Sequence, residues 1–434
     1  MSAYDAAIAE LFARQPNRMV PDLDRITTLA ELLGRPERAF PSIHITGTNG
    51  KTSTAQMVSC LLSALGLASG GYTSPHLQDV RERIRVAGRL IGRDAFIEAL
   101  AYLAPFLAEV DARHPERVTF FEVLTALAFV HFADAPIDVG VFEVGMGGRW
   151  DATNLVDGQV AVLTRVGLDH PELGATPQQV ASEKAGIIKD GAIVVSARQE
   201  HDVGIVIADA VARHASQLVV AGQDFDVVQR MPALGGQLIT LRGVTGVFED
   251  VFLPLHGAHQ ADNAACALAA VEGFLGFAGG LDQDVVREAF AAVRSPGRFE
   301  LVPREEGAVV ILDGAHNPAG AHALAATVRN EFVFRNRIAV LGVLEDKDVD
   351  AIATEVVGFA EHVVATQPPS SRAAPLDRLE KAVRDAGGSV ETTPDVAEAI
   401  GLASGLATAE DAVIVTGSLY TVGAARDVLG LVPS

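Results

Sequence analysis

Short runs of β-branched and apolar residues recur along the chain, each followed by a glycine-rich turn and then by apolar positions at helical spacing. The runs are residues 42–46, 137–144, 160–164, 192–196, 309–312, 338–341, 362–365 and 412–416. Near-continuous apolar strands alternating with helices predict a mostly parallel sheet covered on both faces, hence an α/β chain. Between residues 217 and 255 the pattern changes to short segments broken by Gly235-Gly236, Gly243 and Gly246, which predicts antiparallel hairpins attached to the first sheet. Helical spacing returns over 260–271 and 282–293, and the breaker cluster Arg294-Ser295-Pro296-Gly297-Arg298 then precedes a second series of strand and helix units. The expected architecture is a large domain over 1–296 and a smaller, Rossmann-like α/β domain over 297–434.

Composition narrows the classes of function. With 434 residues, 49% of them hydrophobic and 21% charged, the chain has enough apolar material for sizeable cores, and disorder is excluded as its main character. The 34 Lys and Arg face 55 Asp and Glu, a net charge of −21 that repels polyanions and argues against general nucleic-acid binding. The two cysteines, Cys60 and Cys266, lie among apolar neighbours, which provides no disulfide framework and fits a reducing compartment. The first residues lack a basic stretch leading into an apolar core, and Glu272 with several glycines interrupts the apolar run 264–280, so no membrane association is expected. The expected compartment is the cytoplasm and the expected state a monomer.

The chemistry starts at Gly47-Thr48-Asn49-Gly50-Lys51-Thr52-Ser53, which follows a strand-like run and precedes a helical pattern over 55–67. Glycines let backbone amides turn inward on phosphate oxygens, and the helix N-terminus adds partial positive charge. Thr48, Asn49, Gly50, Lys51 and Thr52 are therefore the candidate nucleotide-binding residues, with Lys51 reaching the outer phosphates as a catalytic group and the Thr52 hydroxyl on Mg²⁺. Two residues, where the common phosphate loop has four, separate Gly47 from Gly50-Lys51. Glu143 ends the apolar run 137–142, where a carboxylate needs a cation, either a metal ion or a salt bridge to Arg149 or Arg165.

The shortened loop resembles that of the ATP-dependent amide ligases: the folylpolyglutamate and dihydrofolate synthases and their muramyl-peptide relatives. Further motifs follow in the same family's order: Thr73-Ser74-Pro75-His76-Leu77, the stretch 142–154 with Met146-Gly147-Gly148-Arg149-Trp150-Asp151, Pro296-Gly297-Arg298-Phe299-Glu300, Leu312-Asp313-Gly314-Ala315-His316-Asn317-Pro318, and Thr416-Gly417-Ser418-Leu419-Tyr420. The resemblance implies ATP and two Mg²⁺ ions as cofactors, with dihydropteroate or a reduced folate and L-glutamate as the substrates. It implies metal ligation by Thr52, Ser74, Glu143 and His170, although histidine is an unusual partner for so hard an ion. It also implies a carbamate on Lys184, in Ser182-Glu183-Lys184-Ala185-Gly186, that bridges metal ions and makes Lys184 a catalytic group. On the residues alone, Lys184 reads as a helix-surface lysine paired with Glu183 or a nearby acid.

Asn263 corresponds to an adenine contact, with a helix N-cap as the ordinary alternative. Arg298 and Asp313 correspond to residues on the phosphate and ribose side of the nucleotide. Pro75, His76, Phe121, Trp150, Asp151 and Ala152 correspond to the walls of the pteridine site, where flat rings stack at low entropic cost, and one of the pair Phe120 and Phe121 is expected in the helix core. His316, a catalytic candidate, and Ser418 correspond to the incoming-glutamate site. The stretch Met19 to Arg25 matches more loosely. A muramyl-peptide ligase is the nearest competing reading, opposed by the 46 residues before Gly47, too few for a nucleotide-sugar domain. A phosphate-loop switch that hydrolyses ATP is the competing reading from another class.

Overall fold

The computed structural model describes residues 3–15, 20–168, 171–304 and 307–433. An eight-stranded sheet comprises β1 (Ser42–Thr46), β2 (Ser69–Tyr72), β3 (Ile84–Val86), β4 (Arg89–Leu90), β5 (Val139–Glu143), β6 (Gly158–Leu163), β7 (Ile193–Ser196) and β8 (Gln217–Val220). Their spatial order is β4-β3-β2-β5-β1-β6-β7-β8, parallel from β2 to β8 with β3 and β4 folded back along one edge. Every residue of β1 and β5 is buried, as two covered faces demand.

The helices that cover this sheet explain the longest apolar stretches. The helix Phe120–Asp134 is buried along most of its length against one face. On the other face, Lys51–Ala64 packs with Ala258–Phe274, whose alanine-rich sequence lets backbones approach closely. Glu272 is tolerated inside that apolar run because its carboxylate accepts from the amides of Val244 and Thr245 and from the Thr245 hydroxyl. None of the helices among the described residues is long and apolar enough to cross a membrane.

The hairpin expectation needs correction. Strand β8 is the last parallel strand of the first sheet, reached through the crossover helix His201–Arg213, while β9 (Asp226–Ala233), β10 (Gly236–Arg242) and β11 (Val247–Leu253) form a separate antiparallel sheet. The apolar side of this small sheet, with Ile239, Leu241, Phe248 and Val251, packs with helices Ala258–Phe274 and Gln283–Ala291, so burial is satisfied without pairing to β8.

A six-stranded sheet follows: β12 (Glu300–Val302), β13 (Val309–Leu312), β14 (Arg337–Leu341), β15 (His362–Ala365), β16 (Val390–Thr392) and β17 (Ala412–Thr416), ordered β12-β13-β17-β14-β15-β16. All but β12 are parallel. Helices cover both faces over two apolar clusters.

Candidate active site

Ligands of open parallel sheets bind beyond the carboxyl ends of the strands where chain order reverses. Strand β1 lies between β5 and β6, so the loop after Thr46 emerges at such a point. Gly47 and Gly50 have φ of +150° and +92°. A Cβ on Gly47 would lie 1.8 Å from Thr164 Oγ1, and one on Gly50 would lie 2.4 Å from Asn263 Oδ1. The loop is wedged between the end of β6 and the helix Ala258–Phe274, and only glycine fits at either position.

Several hydrogen bonds fix the loop. Thr164 Oγ1 donates to the Asn49 carbonyl at 2.8 Å, and Thr48 Oγ1 donates to the Gly167 carbonyl at 2.8 Å while accepting from the Gly167 amide at 2.9 Å. Lys51 Nζ donates to the carbonyls of Gly47 and Thr48 at 3.0 and 3.2 Å. The surface reading of Lys184 is excluded: the residue is 3% exposed, and its Nζ donates to the same Gly47 carbonyl at 2.9 Å. Two lysines distant in sequence thus converge on one edge of the phosphate loop. Asn263 lies within its helix, five residues past the first, so the N-cap reading fails; its Nδ2 donates to Gln260 Oε1 at 3.1 Å.

Register places Glu143 opposite Ile45, beside the loop. Its carboxylate is 1% exposed, accepting from Thr52 Oγ1 at 2.9 Å and from the Ser74 amide at 3.1 Å. Burial pushes its pKa upward, opposed by Lys51, these hydrogen bonds and the more distant Arg298. Neither Arg149 nor Arg165 pairs with it; Arg165 bonds Glu200 instead. A buried carboxylate bonded to the Thr52 hydroxyl, at the edge of the phosphate loop, supplies hard oxygen donors, which fits Mg²⁺. His170 lies outside the described residues.

Another wall of the site is built by the loop after β5 and the start of helix Phe120–Asp134. Asp151 is buried and accepts from the Met146 and Thr153 amides, both at 3.0 Å, and from Thr153 Oγ1 at 2.5 Å. Thr153 Oγ1 in turn bonds His44 Nε2 at 2.9 Å, which ties this loop to β1. Phe121 closes against Gly145, Ala152 is buried, and Trp150 stands 49% exposed at the rim. Phe120 is the core member of its pair, stacking on Phe12. Pro75 lines the cavity, but His76 does not: its Nδ1 accepts from Arg83 Nε at 2.9 Å, so it supports the wall from behind. From the loosely matched N-terminal stretch, Asp22 and Arg25 line the cavity, Arg25 pairing with Glu122 at 3.1 Å; Met19 lies outside the described residues.

The smaller sheet contributes from its own strand ends. Asp313, after β13, accepts from the Phe299 and Ala315 amides at 2.8 and 2.9 Å, and its charge is the main support of the buried Arg298 guanidinium, whose pKa burial lowers. His316 Nδ1 donates to the Gly314 carbonyl at 2.7 Å. Ser418, after β17, is buried; its Oγ caps helix Leu419–Val428 by accepting from the Thr421 amide at 3.0 Å. Asn49 of the phosphate loop exchanges two amide hydrogen bonds, at 3.3 and 3.0 Å, with Asn317, the N-cap of helix Pro318–Glu331.

One cavity of about 2070 Å³ joins these parts, with Thr48 to Ser53, Glu143, Asn263, Phe121, Trp150, Arg298, His316 and Ser418 on its walls. Thr164, Asn317 and Arg83, and the pairing of Arg25 with Glu122, were not legible in the sequence. Each stands outside the nucleotide-loop signature or draws its importance from a partner far along the chain.

Residues 45–271 match the Mur ligase middle domain, more than half of the chain, and residues 297–419 match the Mur ligase glutamate ligase domain. A dihydrofolate synthase/folylpolyglutamate synthase of Mycobacterium tuberculosis is 44% identical over 96% of this chain and 91% of its own length. A protein of the same description from Bacillus subtilis is 32% identical over 98% and 99%. Among solved structures, M. tuberculosis folylpolyglutamate synthase complexed with ADP superposes with a TM-score of 0.95 at 42% identity, covering 100% of this chain and 99% of that one. The Escherichia coli FolC protein in complex with DHPP and ADP superposes at 0.86 with 29% identity, covering 99% and 98%. The chain therefore belongs to the folylpolyglutamate synthase/dihydrofolate synthase family of Mur-type ATP-dependent ligases.

Proposed function

We propose that this ligase joins the α-amine of L-glutamate both to the carboxylate of dihydropteroate and to the terminal carboxylate of reduced folates. The observation that carries this reading is the continuity of the cavity: the phosphate loop, an aromatic-walled acceptor pocket and the strand ends of the second sheet open on one space. The dual descriptions of the M. tuberculosis and B. subtilis relatives support both activities.

In this reading a carboxylate oxygen of the acceptor attacks the γ-phosphorus of ATP and ADP departs, leaving an acyl phosphate. Glutamate's amine then attacks the acyl carbon, phosphate departs, and the amine loses a proton. Lys51 leaves the loop carbonyls to compensate charge on the transferring phosphoryl group. Thr52, Ser74, Glu143 and His170 would hold Mg²⁺, which would neutralise phosphate charge. Lys184 acts as its carbamate, an anion supplementing that ligand set. Asn263 holds the adenine, and Arg298 with Asp313 flanks the phosphates and ribose. Pro75, Phe121, Trp150, Asp151 and Ala152 wall the pterin, whereas His316 and Ser418 border the glutamate. Residues 1–296 and 297–434 act as two units of one monomer whose closure excludes water from the acyl phosphate.

The test measures incorporation of labelled glutamate and release of phosphate, with Mg·ATP and either dihydropteroate or tetrahydrofolate monoglutamate. Turnover with both is expected. Turnover with a muramyl nucleotide and neither pterin, or rapid ATP hydrolysis without any acceptor, would refute the reading.

A further inference from the structure

The cations around the cavity differ in what neutralises them. Arg25 pairs with Glu122, Arg298 has Asp313 nearby, and Lys51 and Lys184 rest on loop carbonyls. Arg83 is otherwise situated. It is 7% exposed and lines the cavity, its guanidinium lies 5.2 Å over the Phe120 ring, and its Nε donates to His76. Among the described residues no carboxylate lies within ion-pair distance of it.

A cation taken out of water is costly unless it is paired, and a guanidinium carries a fork of donors that matches a carboxylate. One donor is used by His76, which fixes the plane of the group, while the Phe120 face holds it from one side. The Tyr72 hydroxyl is a further hydrogen-bond acceptor for the guanidinium, and its other electrostatic neighbours are Glu143 from the first sheet and Tyr420 from the second domain. Arg83 therefore stands where the aromatic pocket meets the phosphate loop and the second domain. That is where the reading above, on which this inference rests, requires the carboxylate end of the acceptor to lie.

We propose that Arg83 binds the carboxylate end of the acceptor substrate, with His76 and Phe120 setting the direction of its guanidinium. The partner is either the reacting carboxylate, present in every acceptor, or the neighbouring α-carboxylate that only glutamylated acceptors carry. Tyr72 gives no competing anion, because burial raises its pKa well above that of a free phenol and its hydroxyl is engaged with Thr125.

The test uses the full-length protein with Mg·ATP and the variants Arg83→Gln and Arg83→Lys. Arg83→Gln should raise the KM for the acceptor roughly 10- to 100-fold, the effect of losing a charge-assisted fork, with the KM values for ATP and glutamate changed less than about twofold. Arg83→Lys should fall between, since it restores charge without the planar fork. A loss of similar size with dihydropteroate and with tetrahydrofolate monoglutamate assigns the reacting carboxylate; a loss with the folate alone assigns the α-carboxylate.

Binding of dihydropteroate and its carboxamide, followed through Trp150, the only tryptophan of the chain, gives an independent readout. Wild-type protein should prefer the acid, and Arg83→Gln should bind acid and amide alike. The proposal is overturned if Arg83→Gln keeps the wild-type preference for the acid, or if the KM change falls on ATP. Should Arg83→Gln fail to bind ATP at all, Arg83→Lys decides by the same readings, and an unchanged acceptor KM overturns the proposal. Failure of the functional reading itself looks different: the wild-type protein turns over neither acceptor.

Discussion

Asn49 and Asn317, 268 residues apart, face each other with side-chain amides in reciprocal hydrogen bonds. One belongs to the phosphate loop of the first domain and the other caps a helix of the second. The nucleotide loop is thereby fastened to the domain that carries His316 and Ser418. Asn317→Asp keeps the acceptor that caps Gly320 and loses the donor to Asn49. We expect kcat/KM to fall about fivefold, the worth of one hydrogen bond, with Tm shifted by less than about 2 °C. Steady-state kinetics beside calorimetry checks this, and an unchanged kcat/KM would disprove a link between the two domains through this pair.

Lys51 Nζ donates to the loop carbonyls of Gly47 and Thr48, so its removal should spare the fold while depriving phosphate of its counter-charge. Lys51→Ala should lower kcat by about 10²-fold or more at unchanged circular dichroism. Retention of a tenth of the wild-type rate would refute its role.

Burial raises the pKa of Glu143, with Lys51 and its hydrogen bonds opposing the shift. A carboxylate whose folded pKa is raised loses stabilisation as pH climbs through the carboxylate range, and at neutral pH a bound cation offsets the penalty. Mg²⁺ with a non-hydrolysable ATP analogue should therefore raise the wild-type Tm by several degrees beyond the analogue alone. Glu143→Gln should be at least as stable without metal and show no such increment. Equal increments in the two proteins would exclude Glu143 as a ligand.

Lys184 is buried against Gly47, and its carbamate needs a neutral amine and CO₂. Lys184→Ala should be nearly inactive, with partial rescue by acetate, and the wild-type enzyme stripped of CO₂ at mildly acidic pH should regain activity with bicarbonate. A ¹³C carbamate resonance from labelled CO₂ is the direct check. A fully active Lys184→Ala with an unmodified wild-type amine would remove Lys184 from the site.

Burial pushes the pKa of His44 and His76 down to about 3, and that of His256 and His259 to about 4. These rings are neutral in the folded chain but protonate in the unfolded one near pH 6.5. Stability is complete above that value and is lost as pH falls from about 6.5 toward 4, each histidine contributing at most about 1.4 kcal/mol per pH unit. Urea unfolding at pH 7.5, 6 and 5 should show a falling midpoint. His44→Gln, which can keep a donor toward Thr153, should flatten that fall; an identical pH profile would show that His44 does not contribute to it.

Sequence alone determined the elements whose physics is local. The strand 42–46 buries every residue, so an unbroken β-branched run identified it, and Gly47 and Gly50 lie at positive φ that glycine readily supplies. The order of motifs was enough to identify the ligase family, and most of the site residues it named line the cavity. What the tertiary structure decided depends on pairing across the chain. Strand β8 joined β7 because a crossover helix delivered it parallel, whereas the following strands found their buried face on helices. Lys184 left the surface because the helix Pro177–Lys184 places its Nζ on the Gly47 carbonyl, 137 residues away. His76 turned to Arg83, Asn263 lay against Gly50, and Asn317 met Asn49 across two domains. No local pattern encodes such contacts: a side chain's role in the site depends on which distant backbone or charge the folded sheets bring beside it.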